Sequence, residues 1–174
     1  MGEVQHIFLV GAKSLGAYGG YETFVDKITE YHQNSPEIKY HVASKANGDG
    51  CMDEGTLSGV TDKIKRDGKV VEFPYHNAHC FKIDIPEKLG SAQAIYSDVM
   101  ALEKCCKIIK GKKIKHPIVY IIAYPFNFFM KHCFTKIHRL AGRVYSAPNS
   151  IATAIVAFFE IGFCCNCLVG GTVA

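Results

Sequence analysis

Apolar residues form two different patterns in the first 30 positions of the chain. Residues 6–10 form a short, mainly apolar run, which is typical of a strand buried on both faces of a parallel sheet. Residues 11–20 are rich in glycine. The next apolar residues recur at helical spacing: Tyr21, Phe24, Val25 and Ile28. This spacing predicts a helix over residues 20–33, so the chain opens with a strand, a glycine loop and a helix.

The same alternation continues to residue 146. Further strands are predicted at 38–43, 69–73, 80–85, 117–123 and 143–146, and a basic amphipathic helix is predicted to end at Leu140. Residues 45–68 are polar and contain several glycines, which predicts a long excursion with one short helical turn. The pattern therefore predicts an α/β fold. We expect a Rossmann-like, mostly parallel sheet with helices on both faces, formed by one domain over residues 1–149.

The clearest helical pattern lies over residues 91–110. Its apolar stripe consists of Ile95, Val99, Leu102, Cys106 and Ile109. Ser91 is predicted to cap the N-terminus of this helix. Tyr96 and Asp98 fall in its first turns, where they could border a cleft or only begin the helix, and the pattern leaves both interpretations open.

Composition narrows the class of protein. The 174 residues suffice for one domain of ordinary size, and the formal net charge is +4. Basic residues concentrate at 104–115 and 131–143, where they form either the solvated face of a helix or a surface for phosphate or anionic lipid. Nucleic acid is not an expected partner.

The eight cysteines do not follow the pattern of a disulfide scaffold. They include the adjacent pairs Cys105–Cys106 and Cys164–Cys165, which bridge poorly, and one C-x-x-C segment ending at Cys167. A structural zinc site needs four ligands, so we expect no metal and no cofactor. The first residues do not resemble a signal peptide, and reduced thiols in the cytoplasm are the preferred interpretation.

The tail, residues 150–174, differs from the rest of the chain. Its only charged residue is Glu160, which interrupts two apolar runs that together approach the roughly 20 residues of a membrane span. A carboxylate near the middle of a span costs about 2–3 kcal/mol, so we expect no stable transmembrane helix here.

The glycine loop is the strongest candidate for a functional site. Backbone N–H groups and a helix N-terminus at the end of a buried strand can approach a phosphate. A Walker loop is excluded because Ala17 and Tyr18 stand where it needs Lys and Ser/Thr. The dinucleotide fingerprint is excluded because Lys13 stands in place of its second glycine. A plain tight turn without a ligand is the alternative interpretation.

Residues 18–25, Tyr-Gly-Gly-Tyr-Glu-Thr-Phe-Val, resemble the Tyr-Gly-Gly-Phe-Glu-Thr-Phe-Val segment of bacterial rhamnosyltransferases that make capsule and exopolysaccharide. Shorter segments support this resemblance at 6–11, 40–43, 94–99, 119–123 and 136–140. The resemblance covers residues 4–149, apart from the excursion at 45–68.

The resemblance implies a glycosyltransferase of the GT-B, family-4-like type, in which two Rossmann-like domains face each other across a cleft. Such enzymes transfer rhamnose from a nucleotide sugar of the dTDP-rhamnose type to a lipid-linked saccharide. This chain resembles the N-terminal, acceptor-side domain, which presents the glycine loop to the donor's phosphates. The substrate-binding residues implied are Gly16, Tyr18, Gly19, Gly20, Glu22 and Thr23. The expected location is the cytoplasm, with peripheral contact at the inner face of the plasma membrane.

Two departures from the family pattern bear on activity. Gly16 stands where the family has Pro, in a loop one residue shorter. Ile151 stands where the family's Asn-Pro-Asp-Gly-His-Glu-Trp segment has its His. We therefore expect a truncated enzyme that is inactive alone and assign no catalytic residue. The alternatives are a non-catalytic Rossmann-like binding module and a membrane-anchored accessory protein.

Overall fold

The computed structural model describes residues 3–15, 19–122, 143–146 and 157–160, the last two ranges as backbone only. The predicted basic helix ending at Leu140 lies outside these residues. Most of the tail, residues 150–174, lies outside them as well.

Among the described residues, eight strands form one sheet. In chain order they are β1 (Gln5–Val10), β2 (Ile38–Lys45), β3 (Ile64–Arg66), β4 (Lys69–Tyr75), β5 (Ala78–Ile83), β6 (Ile118–Ile121), β7 (Arg143–Ser146) and β8 (Ala157–Glu160). Their order across the sheet is β3-β4-β5-β2-β1-β6-β7-β8. The five central neighbours in this order, β5, β2, β1, β6 and β7, pair in parallel. The outer pairings β3–β4, β4–β5 and β7–β8 are antiparallel. The predicted α/β class, with a Rossmann-like, mostly parallel sheet, is confirmed.

Two long helices, α1 (Gly20–Tyr31) and α2 (Gln93–Gly111), cover opposite faces of this sheet. Alternate residues of a strand point to opposite faces, and β1 shows the consequence. Phe8 and Val10 belong to the core beneath α2, whereas Leu9 packs in the second core with Val25 of α1. Both faces are apolar, as the mainly apolar run at 6–10 predicts.

The excursion at 45–68 is more ordered than its composition indicates. It contains one turn of 3-10 helix, Glu54–Leu57, as predicted, but it also contains β3, which the sequence reasoning missed. All three residues of β3 are exposed and two of them are basic, so this edge strand carries no apolar alternation that would identify it. Its pairing with β4 places it in the sheet.

The prediction that Ser91 caps the second helix is wrong. A 3-10 helix spans Glu87–Ala92, and α2 begins one residue later with Ala92 at the cap position and no capping side chain. The reason is a kink at Gly90, whose φ of 49° is in the left-handed region that favours glycine. Ser91 therefore lies inside the 3-10 helix.

Candidate functional site

The glycine loop lies at the carboxyl end of β1, between the neighbouring strands β2 and β6. Gly11 begins the loop with φ of 110°, a conformation that side chains other than glycine rarely adopt. The Lys45 amide at the end of β2 donates to the Lys13 carbonyl at 2.9 Å, which joins the loop to the sheet. The carboxyl edge of parallel strands is where open α/β sheets bind their ligands.

Glu22, in the first turn of α1, is turned toward the loop. The Lys13 amide N–H donates to its Oε1 at 2.9 Å, and the residue is only 8% exposed. Hydrogen bonds to an ionised carboxylate are stronger than those between neutral groups. The side chain of Glu22 therefore joins the two ends of the glycine loop, from Lys13 to the start of the helix.

Gly19 is required beside this carboxylate. A Cβ atom added at Gly19 would meet Oε2 of Glu22 and lie 3.1 Å from its Cδ. The backbone there is extended, with φ of 179°, so the requirement is for space and not for an unusual backbone conformation. Any larger residue at this position must displace the Glu22 carboxylate from the loop.

The structure brings only some of the predicted site residues together. Glu22 and Gly19 are in contact, and Gly20 begins α1 with open space around its Cα. The Thr23 amide donates to the Gly19 carbonyl at 2.9 Å, while the Thr23 side chain is exposed. Gly16 and Tyr18 lie outside the described residues. The substrate-binding role of all six stays a prediction.

Within the described residues, no side chain caps the start of α1, where Gly19 occupies the cap position. The first amides of a helix have no intrahelical partner, and the helix dipole makes this end favourable for an anion. The hydrogen bond from Thr23 to Gly19 is the first helical bond of the element. The start of α1 therefore has the chemistry of an anion-binding helix end.

Two lysines and two aspartates near the same edge were not predicted as a group. Lys45 is 7% exposed at the end of β2, and its Nζ lies 3.5 Å from the Asp49 carbonyl oxygen. Lys13 Nζ lies 3.9 Å from an Asp49 carboxylate oxygen. Burial raises the pKa of Asp98, on α2, to about 7, and Lys45 opposes the shift. A lysine two residues after the predicted strand at 38–43 was the available signal for Lys45.

A second contact fixes the excursion over this edge. The Asn47 amide group donates to the Ile85 carbonyl at 2.8 Å and accepts from the Ile85 amide at 2.8 Å. This reciprocal pair ties the chain that follows β2 to the chain that follows β5. The residues around Lys45 are thus held by backbone-directed bonds rather than by exposed side chains.

Two further observations concern metal binding and membrane spans. Within residues 3–15 and 19–122, no group of three or more His, Cys, Asp or Glu side chains is arranged to hold a metal ion. No helix in the described part of the chain is both long and apolar enough to cross a membrane.

The fold and the geometry at the carboxyl edge of the sheet together define a Rossmann-like α/β domain. Its glycine loop and a helix N-terminus lie at the carboxyl end of the central strand β1. The chain belongs to the family described as Domain of unknown function (DUF1972), whose model matches residues 4–154. This domain is found in glycosyltransferase-associated proteins. Comparison with curated proteins gives no match.

Proposed function

We propose that residues 1–149 form the N-terminal, acceptor-side domain of a glycosyltransferase of the rhamnosyltransferase type. The complete reaction transfers rhamnose from a nucleotide sugar of the dTDP-rhamnose type to a lipid-linked saccharide during cell-surface polysaccharide synthesis. Three observations support this proposal: the Rossmann-like fold, the family match over residues 4–154, and the resemblance of residues 18–25.

A fourth observation, the bond between Lys13 and Glu22, carries the proposal that the loop binds the donor's diphosphate. Transfer from a nucleotide sugar requires stabilisation of the diphosphate that leaves, and preorganised N–H groups do this without reorganising during the reaction. The Glu22 carboxylate holds the loop against the first turn of α1. Lys13 and Lys45 add positive charge at the same edge of the sheet.

We assign Glu22 a positioning role rather than a contact with a sugar hydroxyl. Its Oε1 accepts from the Lys13 amide, and its Oε2 occupies the space that a Cβ at Gly19 would need. A carboxylate turned outward would repel a diphosphate at the helix end, whereas one bound to the loop amide leaves the helix amides accessible. Glu22 would then act by fixing the geometry of the loop.

The proposal also predicts that these 174 residues do not catalyse transfer. The described residues form one Rossmann-like unit, and the enzymes that the chain resembles use two. A lipid-linked acceptor lies in a bilayer, so we propose that the domain meets it from the cytoplasm at the inner face of the plasma membrane.

Vesicle co-sedimentation tests the acceptor-side assignment. Vesicles containing a lipid-linked saccharide should retain the purified chain, and vesicles of the same lipids without the saccharide should retain clearly less. A radiolabelled dTDP-rhamnose assay on the same samples should show no transfer above background. Equal retention by both vesicles would contradict acceptor binding. Transfer above background would contradict the predicted inactivity.

A further inference from the structure

Four titratable side chains form a continuous hydrogen-bonded row across the α2 face of the sheet. His6 Nδ1 lies 2.9 Å from His41 Nε2, and His41 Nδ1 lies 3.3 Å from His79 Nδ1. The row ends where His79 Nε2 lies 2.9 Å from an oxygen of Glu72. It crosses the strands β1, β2, β5 and β4, and we call it the histidine row.

Strand register creates the histidine row. His41 lies directly opposite His79 in the β2–β5 pairing, and Phe8 lies opposite His41 in the β1–β2 pairing. The Phe8 ring stacks on His41 with centroids 4.4 Å apart, and His41 is 1% exposed. The central imidazole is therefore enclosed and has its neighbours fixed on both sides.

The carboxylate sets the direction of every hydrogen bond in the row. An ionised Glu72 can only accept, so His79 Nε2 carries a proton and, in a neutral ring, its Nδ1 accepts. His41 must then donate from Nδ1 and accept at Nε2. His6 in turn donates from Nδ1. The hydrogen bonds of the row therefore fit one consistent set of tautomers for three neutral rings.

Charges are placed unequally along the histidine row. Burial is the main cause that lowers the pKa of His41 to about 3, with smaller contributions from His6, His79, Lys112 and Lys39. The pKa of His6 is also lowered, first by burial and then by Lys112 and Lys39. At the other end, Glu72 accepts from His79 and its second oxygen lies 3.0 Å from Lys104 Nζ. Positive charge is thus disfavoured in the middle of the histidine row, and the end of the row carries a carboxylate.

We propose that the histidine row is a one-proton relay whose hydrogen bonds reverse direction when a proton enters. A proton binds Nε2 of His6, and the Nδ1 proton of His6 passes to Nε2 of His41. The Nδ1 proton of His41 then passes to Nδ1 of His79. The three rings held three protons before and hold four afterwards, with the extra positive charge on His79 beside Glu72.

The relay connects two distant parts of the fold. Its entry, His6, lies near the amino end of β1, while Glu72 and Lys104 join β4 to α2. In the proposed relay, acidification therefore places a second cation beside Glu72, at the carboxylate oxygen that does not contact Lys104. The relay converts proton uptake at one edge of the sheet into a changed ion pair at the other.

Nitrogen-15 NMR of the full chain, labelled at histidine, tests the relay. Protonated and unprotonated imidazole nitrogens have well-separated shifts, so the tautomer of His41 can be followed during a pH titration. We expect His41 to carry its proton on Nδ1 at high pH and on Nε2 at low pH, without a doubly protonated intermediate. A His41 tautomer that stays fixed, or a His41 that becomes a cation over the same pH range, would overturn the proposal.

Glu72→Gln and His116→Gln make the test sharper. Removing the carboxylate charge should lower the pH at which His41 exchanges its tautomer by about one unit, a tenfold change in proton concentration. His116 is exposed and lies outside the histidine row, so its replacement should leave that pH unchanged. An unchanged pH in Glu72→Gln would count against the relay. If that variant does not fold, the titration of the native chain decides alone.

Discussion

The glycine loop and the histidine row use a glutamate in the same way but place it differently. In the loop, Glu22 accepts from a backbone amide nine residues earlier in the chain. In the histidine row, Glu72 accepts from an imidazole brought to it by the antiparallel pairing of β4 and β5. The loop is organised locally by its own sequence, whereas the row exists only once the strands are in register.

The two regions also contain buried groups whose pKa values are shifted in opposite directions. Burial lowers the pKa of His41 to about 3 in the row, and burial raises the pKa of Asp98 to about 7 at the carboxyl edge. In both cases burial disfavours the charged form. The consequences for the pH dependence of stability have opposite signs, which makes the comparison testable.

The largest predicted effect is on the pH dependence of folding stability, and it appears when His41 or Asp98 is replaced without the other. In the unfolded chain His41 binds a proton below pH 6.5, whereas in the folded protein it binds one only near pH 3. The contribution of His41 to folding stability is therefore lost as pH falls. Asp98 releases its proton near 3.8 when unfolded and near 7 when folded, so its contribution is gained as pH falls. At about 1.4 kcal/mol per pH unit, each contributes about 3 kcal/mol between pH 7 and 4, and the native chain should show near cancellation.

Urea unfolding at pH 7, 5.5 and 4 measures this cancellation. Asp98→Asn should lose about 3 kcal/mol of stability from pH 7 to 4, whereas His41→Gln should gain a similar amount. Comparing slopes with pH removes any constant cost of each substitution. Parallel pH profiles for the two variants would contradict the assignment of opposite shifts.

The next effect breaks the loop's internal bond. Glu22→Ala leaves the Lys13 amide without its acceptor, and we expect a loss of about 1–3 kcal/mol in the free energy of unfolding. Glu22→Gln keeps an acceptor oxygen and should lose less. Urea unfolding of the two variants checks the order, and equal losses would show that a neutral acceptor oxygen at this position does not stabilise the loop.

A smaller effect is expected from filling the space beside Glu22. Gly19→Ala places a Cβ against the carboxylate and should cost about 1–2 kcal/mol, because the side chain must move or the loop must shift. Gly59 has open space around its Cα, so Gly59→Ala is the matched control and should stay within about 0.5 kcal/mol. Thermal unfolding that gives both variants the same midpoint would refute the steric argument.

The smallest effect concerns the outer partner of the histidine row. Lys104 pairs with Glu72 at 3.0 Å and lies over the Phe81 ring at 4.9 Å, but its side chain is 29% exposed. Lys104→Met keeps most of the apolar contact and should cost less than about 1 kcal/mol. A much larger loss would show that the Lys104–Glu72 ion pair contributes more to the attachment of α2 to β4 than a partly exposed ion pair usually does.

Sequence reasoning succeeded where the signal was contiguous. The apolar run at 6–10 and the helical spacing after it placed β1, the loop and α1 within a few residues of their observed bounds. The same reasoning missed β3, whose exposed side chains carry no alternation. It also predicted a cap at Ser91, because a good capping residue does not reveal the kink at Gly90.

The candidate site and the histidine row show a different limit. Gly19 and Glu22 were named from a local motif, but the bond from Glu22 to Lys13 depends on the turn of the loop and cannot be deduced from spacing. His6, His41 and His79 are separated by 35 and 38 positions, and only the register of parallel strands brings them together. Tertiary pairing creates such groups, so single-sequence patterns do not contain them.

In the proposed function, the loop held by Glu22 presents the start of α1 to the diphosphate of a nucleotide sugar. The most direct measurement is an NMR titration of the backbone amides with dTDP, performed on the native chain, Gly19→Ala and Gly59→Ala. We predict saturable shifts at the amides of Lys13, Gly19 and Gly20, an affinity at least tenfold weaker in Gly19→Ala, and no change in Gly59→Ala. Shifts elsewhere only, or equal affinities in all three proteins, would contradict the account.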